Sequence, residues 1–275
     1  MGRCENRPVT RVLTWNVWGR NGHWEARQGA IGAVLRAEAP DVVCLQESWL
    51  MADGSSLAGA LAAVLGYHHV DAEHHAQRER EVFVGNAVLC RWPIRRAETM
   101  WLPRVDGGLP YRTLLTVDVD APAGPMTVHC THLDWQYDAS RARVAQVRAV
   151  VRAVAARRGD PLEGHPPMLA GDLNAVPDSD EVRLLTGRTA GPVPGLVFQD
   201  AWEVAGDGGP GFTWSLDNEL CVEPAWPRRR LDYVLVVWPR PRPLGNPISC
   251  RVVGTDPVDG VQPSDHFAVA ADLVS

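Results

Sequence analysis

Short apolar runs recur along the whole chain, and each reads as a β-strand. They are "RVLTWNV" (11–17), "DVVCLQ" (41–46), "NAVLC" (86–90), "RTLLTVDV" (112–119), "MTVHCTHL" (126–133), "PMLAGD" (167–172), "LDYVLVV" (231–237) and "FAVAADLV" (267–274). Several alternate apolar and polar positions, while others are continuously apolar and suit strands covered on both faces. Helical periodicity appears between them. In "DASRARVAQVRAVVRAVAARRG", Val144, Val147, Val151 and Val154 recur at spacings of three and four from about Ser140, and Gly159 is a natural stop. Further helices are predicted over about 24–38, ending at Ala39-Pro40, over 56–65 into Gly66, and over 178–185. Helices placed between strands predict a layered α/β architecture, two sheets with helices outside. The tracts 187–195, 206–211 and 239–247 read as surface loops, so 1–275 is expected to be one domain with its core at about 10–274.

Composition narrows the chemistry. With 45% hydrophobic and 22% charged residues the chain is ordinary for a globular protein, and its net charge of −6 argues against coating nucleic acid by bulk electrostatics. All 27 basic residues are arginine. Lysine-dependent chemistry, such as a phosphate-loop lysine, a Schiff base or a serine–lysine dyad, is therefore excluded. The six cysteines are scattered, and Cys44, Cys90 and Cys130 fall in apolar runs, which argues against a disulfide framework or zinc cluster. "MGRCENRPVT" has no signal-like apolar stretch and no run is long enough to span a membrane, so a soluble, cytoplasmic protein is expected, with a monomer favoured.

Polar residues fall at strand ends. Asn16 lies in "VLTWNVWG", Gln46-Glu47 close "DVVCLQES", and His132 and Asp134 close "MTVHCTHLD". Asp172 and Asn174 follow "MLAG", Asp232 opens "LDYVLV", and Asp265-His266 precede the last strand. Each has an ordinary reading alone: a core amide, a solvated terminus, an Asx-turn, a surface ion pair or a satisfied core histidine. Six independent coincidences are harder to accept than one site, because strand ends converge while the sheet holds them rigid. Gly171 is expected to let the chain turn tightly off its strand and aim Asp172 and Asn174.

"TWNVWG", "LQE", "THLD", "GDLNAVPDS", "RRLDYVL" and "SDH", in this order over most of the chain, resemble the endonuclease/exonuclease/phosphatase superfamily. "GNAVLCRWPI", "FQDAW" and "GFTW" resemble its connecting segments. The resemblance implies a four-layer α/β-sandwich with two central, mostly antiparallel sheets flanked by helices, as in deoxyribonuclease I. It implies a phosphoester hydrolase using Mg2+ or Mn2+, with Glu47 the principal metal ligand and Asn16 and Asp265 beside it. Asp172 would orient or deprotonate the attacking water, and Asn174 would donate to a phosphate oxygen or to that water. Asp232 would fix the tautomer of His266 and keep it protonated for a phosphate oxygen, and His132 would contact phosphate or assist the leaving group. Arg112, from its position, is assigned a phosphate contact through its fork of donors.

The segment "HHVDAEHHAQREREVF" (68–83) departs from the pattern: Glu73, Glu79 and Glu81 do not align, and His68, His69, His74 and His75 lack the spacing of a known metal site. An exposed polar turn is expected there. The eleven tryptophans include Trp18, Trp49, Trp135 and Trp214 beside the site-bearing segments, where they can stack on a base, line a lipid-facing pocket or fill the core. A nuclease or nucleotide phosphodiesterase is the leading expectation. The alternatives are a sphingomyelinase-like lipid phosphodiesterase, an inositol-phosphate phosphatase, or a non-catalytic binding protein that keeps the fold.

Overall fold

The structure is a computed structural model describing residues 8–74, 82–160, 162–221, 226–238, 240–241 and 243–275. In chain order its elements begin β1 (Val9–Asn16), α1 (Trp24–Glu38), β2 (Val42–Met51), α2 (Leu57–Leu65), β3 (His68–Asp71), β4 (Val82–Cys90) and β5 (Ile94–Trp101). They continue β6 (Thr113–Ala121), β7 (Gly124–His132), α3 (Ser140–Arg157), β8 (Met168–Asp172), α4 (Asp180–Leu185) and β9 (Val197–Asp200). The last are α5 (Ala201–Ala205), β10 (Asp232–Trp238), β11 (Pro247–Val253) and β12 (Ala268–Val274).

Two six-stranded sheets form, ordered β11-β12-β1-β2-β4-β3 and β5-β6-β7-β8-β10-β9. Each contains one parallel pair, β1 with β2 and β7 with β8, and every other pairing is antiparallel. The alternation within each strand divides its side chains between two cores. In β10, Val234 and Val236 face the core between the sheets, while Tyr233, Leu235 and Val237 face α3 and α4. In β1, Val12 faces inward and Leu13 and Trp15 pack toward α1 and α2. This double burial is why the strands read as continuous apolar runs, and it produces the expected four layers.

Local chemistry sets the helix ends. Ala39 takes a left-handed conformation at the end of α1 and returns its N–H to Leu35, and Pro40 blocks continuation. Ser56 caps α2 by accepting from the Gly59 N–H, and Gly66 closes it in the left-handed region. No helix among the described residues is long and apolar enough to cross a membrane.

Two local expectations need correction. Residues 68–71 are the edge strand β3, paired with β4, and not a polar turn; an edge strand with one wet face carries histidine as readily as a loop does. His75, Glu79 and Glu81 lie outside the described residues. β2 does not end at Glu47 but continues to Met51 through a bulge between Leu45 and Ser48. The strands β5, β9 and β11, polar or very short, also escape the apolar pattern.

Candidate active site

The site lies at one edge of the sandwich because the strand ends meet there. In the register of the second sheet, His132 pairs with Asp172, and Asp172 pairs with Asp232. Two carboxylates are thereby fixed side by side on neighbouring strands. From the first sheet, Asn16 at the end of β1 crosses the gap and donates its Nδ2 to Asp172 Oδ2 at 3.0 Å and to Glu47 Oε1 at 3.3 Å. The two sheets are thus tied together at the site by one amide.

Glu47 reaches this point by backbone distortion. It occupies the β2 bulge with φ of 56°, a left-handed conformation uncommon outside glycine. The extra residue re-aims its side chain toward Asn16. Asn174 is also left-handed, with φ of 48°. Its N–H donates to Asp172 Oδ1 at 2.8 Å, and its side-chain nitrogen donates to the Leu133 carbonyl at 3.2 Å. An Asx-turn therefore holds Asp172 in place. Gly171, expected to form that turn, belongs to β8. A Cβ on it would lie 1.9 Å from the Thr131 carbonyl, so the close approach of β7 and β8 demands glycine.

His266, just before β12, places Nδ1 2.9 Å from Asp232 Oδ2 and Nε2 3.9 Å from Asp172 Oδ2. Burial works against its charge. Asp232, Asp172 and the hydrogen bond to Asp232 outweigh it and push the imidazole up to about 10, so His266 is a cation at neutral pH. Burial and then Asp232 raise the pKa of Asp172, opposed by His266 and the Asn16 bond. Burial, followed by the charge on Glu47, pushes Asp265 up to about 7 against the pull of His266. His132 behaves oppositely: burial, then Arg112 and His266, hold it well below the usual range and therefore neutral. Its Nδ1 accepts from Arg112 Nη1 at 2.9 Å, which leaves the proton on Nε2, 3.3 Å from Asp172 Oδ2.

A cleft of about 380 Å³ opens over these groups, lined by Asn16, Glu47, His132, Asp172, Asn174, Asp265 and His266. Its walls carry Trp18, Trp135, Trp214, Trp226 and Arg229. Asp232 lies behind His266, fully buried, and Trp214 packs edge-on against that ring at 5.1 Å. Arg112 does not line the cleft; it stands behind His132, its Nη1 spent on that ring. Asp134 also turns away, bonded to Tyr111 and to Gln146.

The donor set suits a hard divalent cation: Glu47 and Asp265 are carboxylates on the cleft, and the charge of Glu47 raises the cost of ionising Asp265. Asn16 enters differently from the metal-ligand expectation. As the amide stands, its oxygen accepts from the Trp18 N–H and its nitrogen faces two carboxylates, so it acts as a donor between Glu47 and Asp172. Asp172, Asp232 and His266 also bring potential ligand atoms within 4.8 Å of one another. In this second cluster the imidazole is bonded to Asp232 through Nδ1 and faces Asp172 through Nε2, so it ties the two carboxylates together.

Two arginines central to the site's support were not legible in sequence. Arg27 of α1 is buried, and its guanidinium donates to the carbonyls of Val17, Trp18, Gly19, Asn21 and Pro263, binding the Trp18 loop to the approach to Asp265. Arg143 of α3 is buried against Glu181 at 2.8 Å and clamps the 134–137 loop through its carbonyls. On an amphipathic helix an arginine defaults to solvent, and no local signal separates these two from Arg141 or Arg152.

The Endonuclease/Exonuclease/phosphatase family model matches residues 13–266. An endonuclease/exonuclease/phosphatase from Beutenbergia cavernae DSM 12333 is 30% identical, with a TM-score of 0.71 over 98% of this chain and 72% of that one. Caenorhabditis elegans TDP2, truncated, is 21% identical, with a TM-score of 0.73 over 97% of this chain and 98% of that one. D. rerio TDP2 complexed with single strand DNA product is 20% identical, with a TM-score of 0.76 over 97% and 99%. No curated protein matches the chain by sequence. Matched across nearly its whole length and carrying the six motif segments at one sheet edge, the chain belongs to the endonuclease/exonuclease/phosphatase family.

Proposed function

We propose that this protein is a divalent-cation-dependent phosphodiesterase acting on nucleic acid or nucleotide substrates. The observation that carries the reading is Asp172, a buried carboxylate of raised pKa at the floor of an open cleft, within reach of neutral His132 and cationic His266. A carboxylate whose pKa is raised is a better proton acceptor for water than a solvated one. His266, kept charged by Asp232, supplies a fixed positive group where phosphate oxygens gain charge in the transition state. His132, with its proton on Nε2, is placed to donate to the same oxygens or to the leaving group. Asn174 orients Asp172 and lines the cleft beside it.

Glu47 and Asp265 would hold Mg2+ or Mn2+, with Asn16 fixing Glu47. When bound, such an ion supplies Lewis-acid stabilisation of the phosphate. Arg112 fixes the tautomer of His132 in place of contacting phosphate itself.

The walls favour a nucleotide over the alternatives. An inositol polyphosphate calls for several cations, and Arg229 is the one arginine among the described lining residues. Four tryptophans suit flat bases. The single-strand DNA bound by D. rerio TDP2 in a similar fold supports the same choice. The test is hydrolysis of single-stranded oligonucleotides, sphingomyelin vesicles and inositol phosphates with Mg2+ or Mn2+ and with EDTA. Cation-dependent cleavage of oligonucleotides is expected; equal turnover in EDTA, or by Asp172→Asn, would refute it.

A further inference from the structure

Arg229 has an unusual environment. Its residue is only 8% exposed, and its Nε is buried without a hydrogen-bond partner among the described residues. The other buried arginines among the described residues are paired with a carboxylate or bonded to carbonyls: Arg143 with Glu181, Arg230 with Asp200 at 2.6 Å, and Arg27 with backbone carbonyls. Arg229 meets π faces instead, with its guanidinium carbon 4.4 Å from the Trp226 ring centroid and 5.4 Å from that of Tyr137. Those two rings meet edge to face at 5.2 Å.

This group is rigidly coupled to the catalytic floor. Arg229 and Trp214 exchange both backbone hydrogen bonds, at 2.8 and 2.9 Å, and Trp214 packs on His266. Three residues further on, Asp232 bonds His266. Arg229, Trp226 and Trp214 line the same cleft as Asp172. At its rim Tyr137 is 62% exposed and Trp135 54% exposed, two large aromatic faces left to water.

We propose that Arg229 and Trp226, with Tyr137 at the rim, form a subsite for the nucleotide adjoining the scissile bond, the guanidinium taking a non-reacting phosphate oxygen and the indole stacking on the base. This rests on the phosphodiesterase reading above. Among the described residues no carboxylate forms an ion pair with Arg229, and the more distant Asp172 is the only carboxylate whose charge favours its cation. Burial makes such a group costly until an anion arrives, and a guanidinium fork is suited to phosphate oxygens. A neighbouring indole accepts a base of any identity through its π face. Rival headgroups fit worse. A quaternary ammonium would sit among aromatics that already hold a cation, and an inositol ring has no π face to stack.

The decisive experiment is binding of a fluorescein-labelled single-stranded hexanucleotide by anisotropy, in an Asp172→Asn background that removes turnover. Arg229→Gln in that background is expected to weaken binding about tenfold, and Trp226→Leu to weaken it by about fivefold or more. In the active protein, Arg229→Gln should raise KM for the hexanucleotide more than it lowers kcat. The ratio of kcat/KM for hexanucleotide over bis(p-nitrophenyl) phosphate, which has no second phosphate, should fall about tenfold. Unchanged hexanucleotide affinity in both variants, or an equal loss on both substrates, would overturn the subsite. Competition by sphingomyelin vesicles as effective as unlabelled hexanucleotide would also overturn it. Circular dichroism melts confirm folding, and if Arg229→Gln does not fold, Trp226→Leu decides. Loss of binding in a protein that cleaves nothing would reject the hydrolase reading and keep the subsite; cleavage with unimpaired variants would do the reverse.

Discussion

His266 Nδ1 stands 2.9 Å from Asp232 Oδ2, while its Nε2 faces Asp172 Oδ2 at 3.9 Å. One imidazolium therefore separates two buried carboxylates that adjacent strands bring into register. Replacing Asp232 by Asn keeps the shape and removes the charge that holds the ring protonated. We expect kcat to fall by about 100-fold or more with a small change in KM, measured by steady-state hydrolysis of an oligonucleotide. A loss confined to KM would show that His266 serves ground-state binding alone.

Glu47 is presented by a bulge and steadied by Asn16. Glu47→Gln should raise the Mn2+ concentration for half-maximal activity by about 10- to 100-fold, and Asn16→Ala should raise it less. Calorimetric titration of Mn2+ gives an activity-independent check. Unaltered Mn2+ affinity in Glu47→Gln would move the cation elsewhere.

Gly171 meets the Thr131 carbonyl where the parallel strands β7 and β8 run side by side. Gly171→Ala forces these backbones apart and is expected to destabilise the protein by about 3 kcal/mol or more, read by urea denaturation. Gly124, whose added Cβ would meet nothing within 4 Å, is the control, although its φ of 119° carries its own smaller strain.

His129 faces the helix side of β7, its Nδ1 on the Thr116 hydroxyl at 2.9 Å. Burial, aided by the charge of Arg157, holds it down to about 3. The unfolded chain takes up this proton near the ordinary histidine value, and the folded chain does not. The stabilisation is therefore complete above about pH 6.5 and is lost as pH falls toward 3, by about 1.4 kcal/mol per pH unit. His129→Phe should reduce the slope of unfolding free energy against pH between 6.5 and 4, with His132 and His165 contributing in the same direction. An unchanged slope would contradict the assignment.

Arg143 and Glu181 are both buried, 2.8 Å apart. Arg143→Met strands the carboxylate and should cost about 3–5 kcal/mol, much of it recovered in Arg143→Met/Glu181→Leu. Even the recovered double variant lacks the clamp on the carbonyls of Asp134, Gln136 and Tyr137. Its KM for oligonucleotide should stay raised, because Trp135 and Tyr137 ride on that loop.

The sequence by itself determined the sandwich and the roster of polar ends, because both are local. A short apolar run ended by Asn16 or Asp172, or opened by Asp232, reports which residues leave a strand and where. The helices over about 24–38 and 56–65 were legible from their stops at Ala39-Pro40 and Gly66, and the one from about Ser140 from its valine spacing. Tertiary structure alone decided how those residues act. Glu47 is aimed by a bulge that depends on β4, and Gly171 is required by the carbonyl of a strand forty residues away. Arg112 was assigned to phosphate, and its Nη1 bonds His132; Arg27, Arg143 and Arg229, which carry no local signal of burial, lie buried among carbonyls, a carboxylate or aromatic rings. A side chain's type is written in one position, but its partner is set by the packing of distant segments, and charge, tautomer and orientation at a buried site follow the partner.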